Sequence, residues 1–114
     1  MFIVSNWILA ASDGENCNTA CGLLSKTCDA TEMDKIRSQA LITSTAASIG
    51  YTCTTFYGGP SQNRGIPWVR INPDKSNAEC WYVSARSAAC DESSSGYPSL
   101  CYCGMPLIMI FHRF

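Results

Sequence analysis

Apolar positions recur along this chain at two different spacings, and each change of spacing marks a new element. Residues 2–10 hold Phe2, Ile3, Val4, Trp7, Ile8 and Leu9, a β-favouring run that predicts an extended strand. Asp13-Gly14 is a turn signal. From Glu15 to about Ser25 the period becomes helical, because Cys17 and Cys21 are four apart and Leu24 and Cys28 follow the same face. Asp29-Ala-Thr-Glu32 has the form of a capping box ahead of a second helix. Met33, Ile36, Ala40 and Ala47 then recur at helical spacing, with Asp34, Lys35 and Arg37 outside. Gly50 supplies the left-handed residue that ends this helix after Ser48.

Beyond Gly50 the pattern changes to short strands. Tyr51 to Tyr57 alternates in character and is closed by Gly58-Gly59-Pro60, with a polar loop over residues 61–65. Residues 66–71 read as an edge strand, since Pro67 has no N–H to give to a ladder. A turn at Asn72-Pro73-Asp74 leads to a strand over residues 79–84 and a loop over 91–99. Residues 100–103 return as a strand, and the tail 105–114 is nearly all apolar. No internal repeat is evident. The sum is a small disulfide-rich α+β domain, two helices packed on a mainly antiparallel sheet. It divides into an N-terminal strand (1–11), a cysteine-bearing core (12–104) and a C-terminal strand (105–114). Residues 1–11 lack the basic start of a signal peptide and are broken by Ser5 and Asn6. They are expected to be mature structure, with any leader upstream of this numbering.

The cysteines change the picture most. Cys17, Cys21, Cys28, Cys53, Cys80, Cys90, Cys101 and Cys103 make an even count of eight in 114 residues. That is the signature of four disulfides in an oxidising compartment, and it places the protein at the cell surface or outside it. Zinc is the weaker reading: the close pairs are C-x3-C and C-x-C, and the single histidine, His112, lies in the apolar tail. Pairing stays open, because eight cysteines allow about 105 connectivities. Cys101 and Cys103 are two apart on a strand, so both point to one face and are expected to bond to different partners.

Composition narrows the function classes. Charged residues are only 15% of the chain and the net charge is −1, so no field exists to draw nucleic acid or an anionic membrane. No apolar stretch is long enough to span a bilayer. No nucleophile elbow, zinc-protease helix, P-loop or dinucleotide fingerprint is present. Asp29, Glu32 and Asp34 suit a helix start better than a calcium site, and no cofactor, metal or catalytic residue is expected.

Three groups of residues remain as candidates. The apolar termini, Phe2, Ile3, Val4, Trp7 and Ile8 with Leu107, Ile108, Met109, Ile110 and Phe111, either pair with each other or insert into another copy of the chain. A head-to-tail contact of the second kind does not close and builds a filament. The aromatics Trp68, Trp81 and Tyr82, among Tyr51, Tyr57 and Tyr97, are candidates for glycan contact, since aromatic faces stack on sugar rings. No N-linked sequon exists, but Thr43, Ser44, Thr45, Ser93, Ser94 and Ser95 are candidates for O-linked sugar.

Cys17-Asn-Thr-Ala-Cys21, Leu23 to Cys28-Asp29, Tyr51-Thr-Cys53, Cys80 to Cys90 and Leu100-Cys-Tyr-Cys103 together resemble the cysteine-rich C-terminal segment of the N-acetylglucosaminyltransferase V family. Trp7-Ile-Leu9 followed by Gly14-Glu-Asn-Cys17 is also similar to free-standing modules of secreted and surface proteins of algae and other protists. The likeness covers about residues 7–104 and rests on cysteine spacing, and the tail after Gly104 departs from it. The transferase's nucleotide-sugar domain would need several hundred residues more, so no catalytic role carries over. The expectation is a non-enzymatic extracellular subunit of a fibril, partnered by copies of itself and by attached or bound glycans. The alternatives are a carbohydrate-binding module or an accessory domain of a larger glycan-processing enzyme.

Overall fold

Helix formation starts where Asn16 turns its side chain back to accept from the Thr19 N–H at 2.8 Å, capping α1 (Cys17–Gly22). The buried face of α1 is Cys17, Ala20 and Cys21, the four-residue spacing anticipated above. In the computed structural model, which describes residues 6–11, 14–58, 67–84 and 86–106, this helix packs on two strands, residues 26–28 and 100–106. β1 (Trp7–Leu9) runs antiparallel to β6 (Leu100–Pro106), with Trp7 opposite Tyr102 and Ile8 opposite Cys101. β2 (Lys26–Cys28) lies on the other side of β6, giving the order β1-β6-β2.

Asp29 caps α2 (Ala30–Met33), accepting from the N–H groups of Thr31 at 3.0 Å and Glu32 at 3.3 Å. The expected capping box is only half formed, because Glu32 reaches Lys35 and the Asp29 N–H is taken by the Tyr102 carbonyl. The single helix expected up to Ser48 is in fact two. α2 ends at Met33, and α3 (Gln39–Ser48) starts afresh with Ser38 as its cap, Oγ accepting from the Leu41 N–H at 3.1 Å. The break has a local cause: the Ile36 carbonyl accepts from the Val83 N–H at 2.8 Å, and Arg37 spreads across Asp34 and the carbonyls of Ser84 and Arg86. These tertiary bonds replace the helical ladder over residues 34–38. The buried face of α3 is therefore Ile42, Thr45 and Ala46, while Ala40 and Ala47 are exposed. Gly50, at φ +91°, ends the helix as anticipated.

The second sheet has the order β3-β5-β4, from β3 (Cys53–Gly58), β4 (Trp68–Asp74) and β5 (Asn77–Tyr82). β4 and β5 form an antiparallel hairpin, whereas β3 runs parallel to β5. The expected turn at residues 72–74 is instead the end of β4, with the tight turn at Lys75-Ser76 closed by Asp74 Oδ1 on the Ser76 N–H. β4 is an edge strand, and its register slips between Ile71 and Asp74, around Pro73. The two sheets are joined where β4 meets β6: the Val69 N–H donates to the Pro98 carbonyl and the Leu100 N–H to the Pro67 carbonyl. Two apolar clusters follow from this arrangement. One gathers Cys17, Cys21, Met33, Trp68 and Cys101 under α1, and the other gathers Ile42, Ala46, Val69, Cys80 and Leu100 under α3. The result is a small disulfide-rich α+β domain that has, among the described residues, three helices and two mostly antiparallel sheets, rather than two helices on one sheet.

Candidate functional sites: the terminal pole and the aromatic face

All eight cysteines are paired: Cys17–Cys101, Cys21–Cys103, Cys28–Cys90 and Cys53–Cys80. Two bridges run from one face of α1 to β6. The helical C-x3-C therefore matches the extended C-x-C, one partner each, as the shared faces require. Both bridges span nearly the whole chain, with sequence separations of 84 and 82. Four disulfides are typical of extracellular or secreted proteins. No described helix is long and apolar enough to cross a membrane.

The antiparallel pairing of β1 with β6 has a direct geometric result. The chain comes into β1 and leaves β6 at the same end of one sheet, beside the Asn6 carbonyl that accepts from the Cys103 N–H at 2.8 Å. Of the terminal residues singled out above, Trp7 and Ile8 are half-buried in this pairing within one chain, and the Trp7 ring meets Tyr102 edge-on at 5.1 Å. Phe2, Ile3 and Val4, and Leu107, Ile108, Met109, Ile110 and Phe111, lie outside the described residues, as does His112.

The aromatic candidates separate on the second sheet. Register places Tyr57 opposite Trp81, Trp81 opposite Trp68, and Trp68 opposite Ser99, one row across three strands and the residue that precedes β6. Directly opposed residues project from the same face. The adjoining row on that face is Thr55, Glu79 and Arg70. Tyr57 stacks on Trp81 at 4.3 Å, Trp81 meets Trp68 edge-on at 5.6 Å, and Tyr97 lies 5.0 Å from Trp68 with the Arg70 guanidinium 5.1 Å above its ring. Trp68 is only 5% exposed and serves as core, not as a contact surface, which corrects its assignment to glycan contact. Tyr82 falls on the opposite face, packed against the cluster under α3, so it cannot act with Trp81 on one ligand. Tyr57, at 40% exposure, and Arg70 take the outer positions that the sequence left undistinguished among many aromatics and charges.

Among the hydroxyls, Thr45 is buried and its Oγ1 donates to the Leu41 carbonyl at 2.7 Å, which removes it as an attachment point. Thr43 and Ser44 are exposed on α3, each bonded to a carbonyl of the preceding turn. Ser95 is exposed, and Ser93 and Ser94 are half-buried.

One shallow cleft of about 250 Å³ is lined by Ala30, Thr31, Asp34, Ser87 and Ala88. Its carboxylate is already engaged: Asp34 accepts from the Ala88 N–H at 2.9 Å and from Arg37 at 2.7 Å. The Ala88 N–H first, and Arg37 second, hold the Asp34 carboxyl below the usual carboxylate range. A carboxylate kept ionised and bonded in this way acts as a clasp between α2 and the segment after β5, and is poorly suited to take a proton. No group of three or more metal-ligating side chains occurs among the described residues.

No family model, curated protein or solved structure matches this chain.

Proposed function

We propose that the protein is a non-enzymatic extracellular structural subunit that assembles head to tail with copies of itself through its terminal segments. One observation carries this reading: the chain enters β1 and leaves β6 at the same end of one sheet, where two disulfides tie β6 to α1, and in the sequence the apolar stretches Phe2–Val4 and Leu107–Phe111 precede and follow those strands. Strand addition joins subunits through main-chain hydrogen bonds while side-chain pockets set the partner. It suits a domain whose body is closed by disulfides and whose sequence carries apolar stretches outside that body. O-linked sugar on exposed hydroxyls such as Thr43, Ser44 and Ser95 would keep so weakly charged a surface soluble. The resemblance to cysteine-rich modules of secreted and surface proteins agrees with an extracellular setting.

Electron microscopy of the full, non-reduced chain at neutral pH tests the proposal. Filaments with a subunit-sized axial repeat are expected, and they should vanish when residues 1–5 or 107–114 are deleted from a chain that keeps its circular dichroism spectrum. Uniform single domains, closed dimers, or filaments that survive both deletions would overturn it.

A further inference from the structure

The face of the second sheet that carries Tyr57, Trp81 and Arg70 is turned away from the core beneath α3; at its inner end Trp68, with Trp81 and Tyr97 against it, packs into the cluster under α1, while Tyr57 and Arg70 are exposed. The opposite face builds the core beneath α3, with Val69, Cys80 and Phe56 packed against Ile42 and Ala46. What this face presents at its exposed end is the last ring of an aromatic row beside a polar row. Tyr57 is that ring and lies nearly parallel to Trp81, the interplanar angle being 24°. Arg70 and Glu79 are directly opposed in the polar row, one charge of each sign, and Asn72 holds the Glu79 carboxylate at 2.9 Å.

A second observation falls on the same row. Among the described residues, the buried side-chain polar atoms without a hydrogen-bond partner are the indole N–H groups of Trp68 and Trp81 and the hydroxyl of Ser99. These three residues are consecutive partners across the strands. A buried donor without an acceptor costs about 1–3 kcal/mol. Among the described residues such groups fall in this one row, which ends at the exposed Tyr57 ring, and buried groups of this kind call for an explanation.

We infer that this face is a binding site for a neutral pyranose glycan, stacked on Tyr57 with Trp81 behind it and hydrogen-bonded by Arg70 and Glu79. The chemistry selects that ligand. Rigid aromatic faces match the C–H face of a sugar ring at small entropic cost. Sugar hydroxyls both donate and accept, as a guanidinium beside a carboxylate requires. A polyanion would meet Glu79 unfavourably, and an apolar peptide would leave both charges desolvated without a partner. The site does not rest on assembly through the termini, and its failure would leave that reading untouched.

The test uses the full oxidised chain. An array of neutral β-1,4-linked glucose, N-acetylglucosamine and mannose oligosaccharides identifies the best ligand, and its affinity is then measured by NMR titration and tryptophan fluorescence. Binding should perturb Trp81, Tyr57→Ala and Arg70→Ala should each weaken affinity by roughly tenfold, and Tyr57→Phe, which keeps the ring, should restore it. Absence of binding to every oligosaccharide at millimolar concentration would sink the inference. So would affinity unchanged in Tyr57→Ala. Loss of filaments in Tyr57→Ala without any glycan binding would assign the face to contact between copies instead.

Discussion

Pulling the chain by its two ends should leave most of the domain without load. Tension arriving at Cys17 crosses to Cys101 and leaves through β6, so the residues between them form a covalently closed loop that carries none of it. The Cys21–Cys103 bridge duplicates that path, with a separation of 82 against 84. Removing either outer bridge should therefore change the extended length by no more than two residues, about 7 Å at ~3.5 Å per residue. Removing both transfers the load to Cys28–Cys90, whose separation of 62 releases 22 residues, about 75 Å. Loss of that bridge as well hands the load to Cys53–Cys80, separation 27, and releases a further 35 residues, about 120 Å. Loss of the last frees the remaining 27 residues, about 95 Å. Optical-tweezer extension of the full chain, held by handles at both termini, reads these steps directly in serial Cys→Ser variants. A release of some 75 Å on removing the Cys17–Cys101 bridge alone would show that the two outer bridges are not redundant, and the load-path reasoning would fall.

Two further outcomes can be checked in solution. Replacing Cys53 and Cys80 together by alanine opens a loop of separation 27, which by chain entropy should cost about 3.5 kcal/mol in urea unfolding; a cost below about 1 kcal/mol would mean that β3 and β5 hold their register without it. Asp34 ties α2 to Ala88 and Arg37 at the surface, so Asp34→Ala should cost about 1–2 kcal/mol. Because its carboxyl is held below the unfolded value of 3.8, that stabilisation is complete above this value and fades as pH falls through the lower folded value. Urea midpoints of the wild type should thus drop more steeply than those of Asp34→Asn below about pH 4, and parallel curves would refute the clasp.

The parts of this fold that were legible in the chain are those where one local rule acts alone. The i, i+4 spacing of Cys17 and Cys21 and the i, i+2 spacing of Cys101 and Cys103 each define a face, and the two faces meet as paired bridges. Gly50 ends its helix because a left-handed residue is required there. What was not legible depends on partners far away in sequence. Ile36 reads as the next turn of a helix, but its carbonyl is claimed by Val83, 47 residues on, and the helix divides. Lys26–Cys28 has too few residues to show any alternation and becomes a strand only because β6 is long enough to pair on both sides. The parallel placing of β3 beside β5 likewise follows from the chain returning across Cys53–Cys80, which no local pattern announces. The same limit hid the aromatic row: Trp68, Trp81 and Tyr82 look alike in sequence, but cross-strand register puts Trp68 and Trp81 side by side in one row, the first buried and the second half-buried, and Tyr82 on the opposite face.

The disulfide pairing also bears on whether the two proposals can hold together in one molecule. A subunit joined to its neighbours through its ends experiences tension along the chain, and a binding face in the load path would be distorted before the subunit contacts gave way. Tyr57, Arg70, Glu79, Trp81 and Tyr97 all lie between Cys17 and Cys101, inside the closed loop. Pairings within each close set, such as Cys17 with Cys21 and Cys101 with Cys103, would staple the same segments but expose the whole interior to the pull. Long-range pairing therefore separates the two tasks: β1 and β6 sustain the load, while the β3-β5-β4 sheet keeps its register. Glycan affinity should accordingly be the same for a chain held under tension as for a free one. A ligand released by forces too small to break a disulfide would show that load does reach the sheet, through β4 where Pro67 and Val69 bond to Leu100 and Pro98.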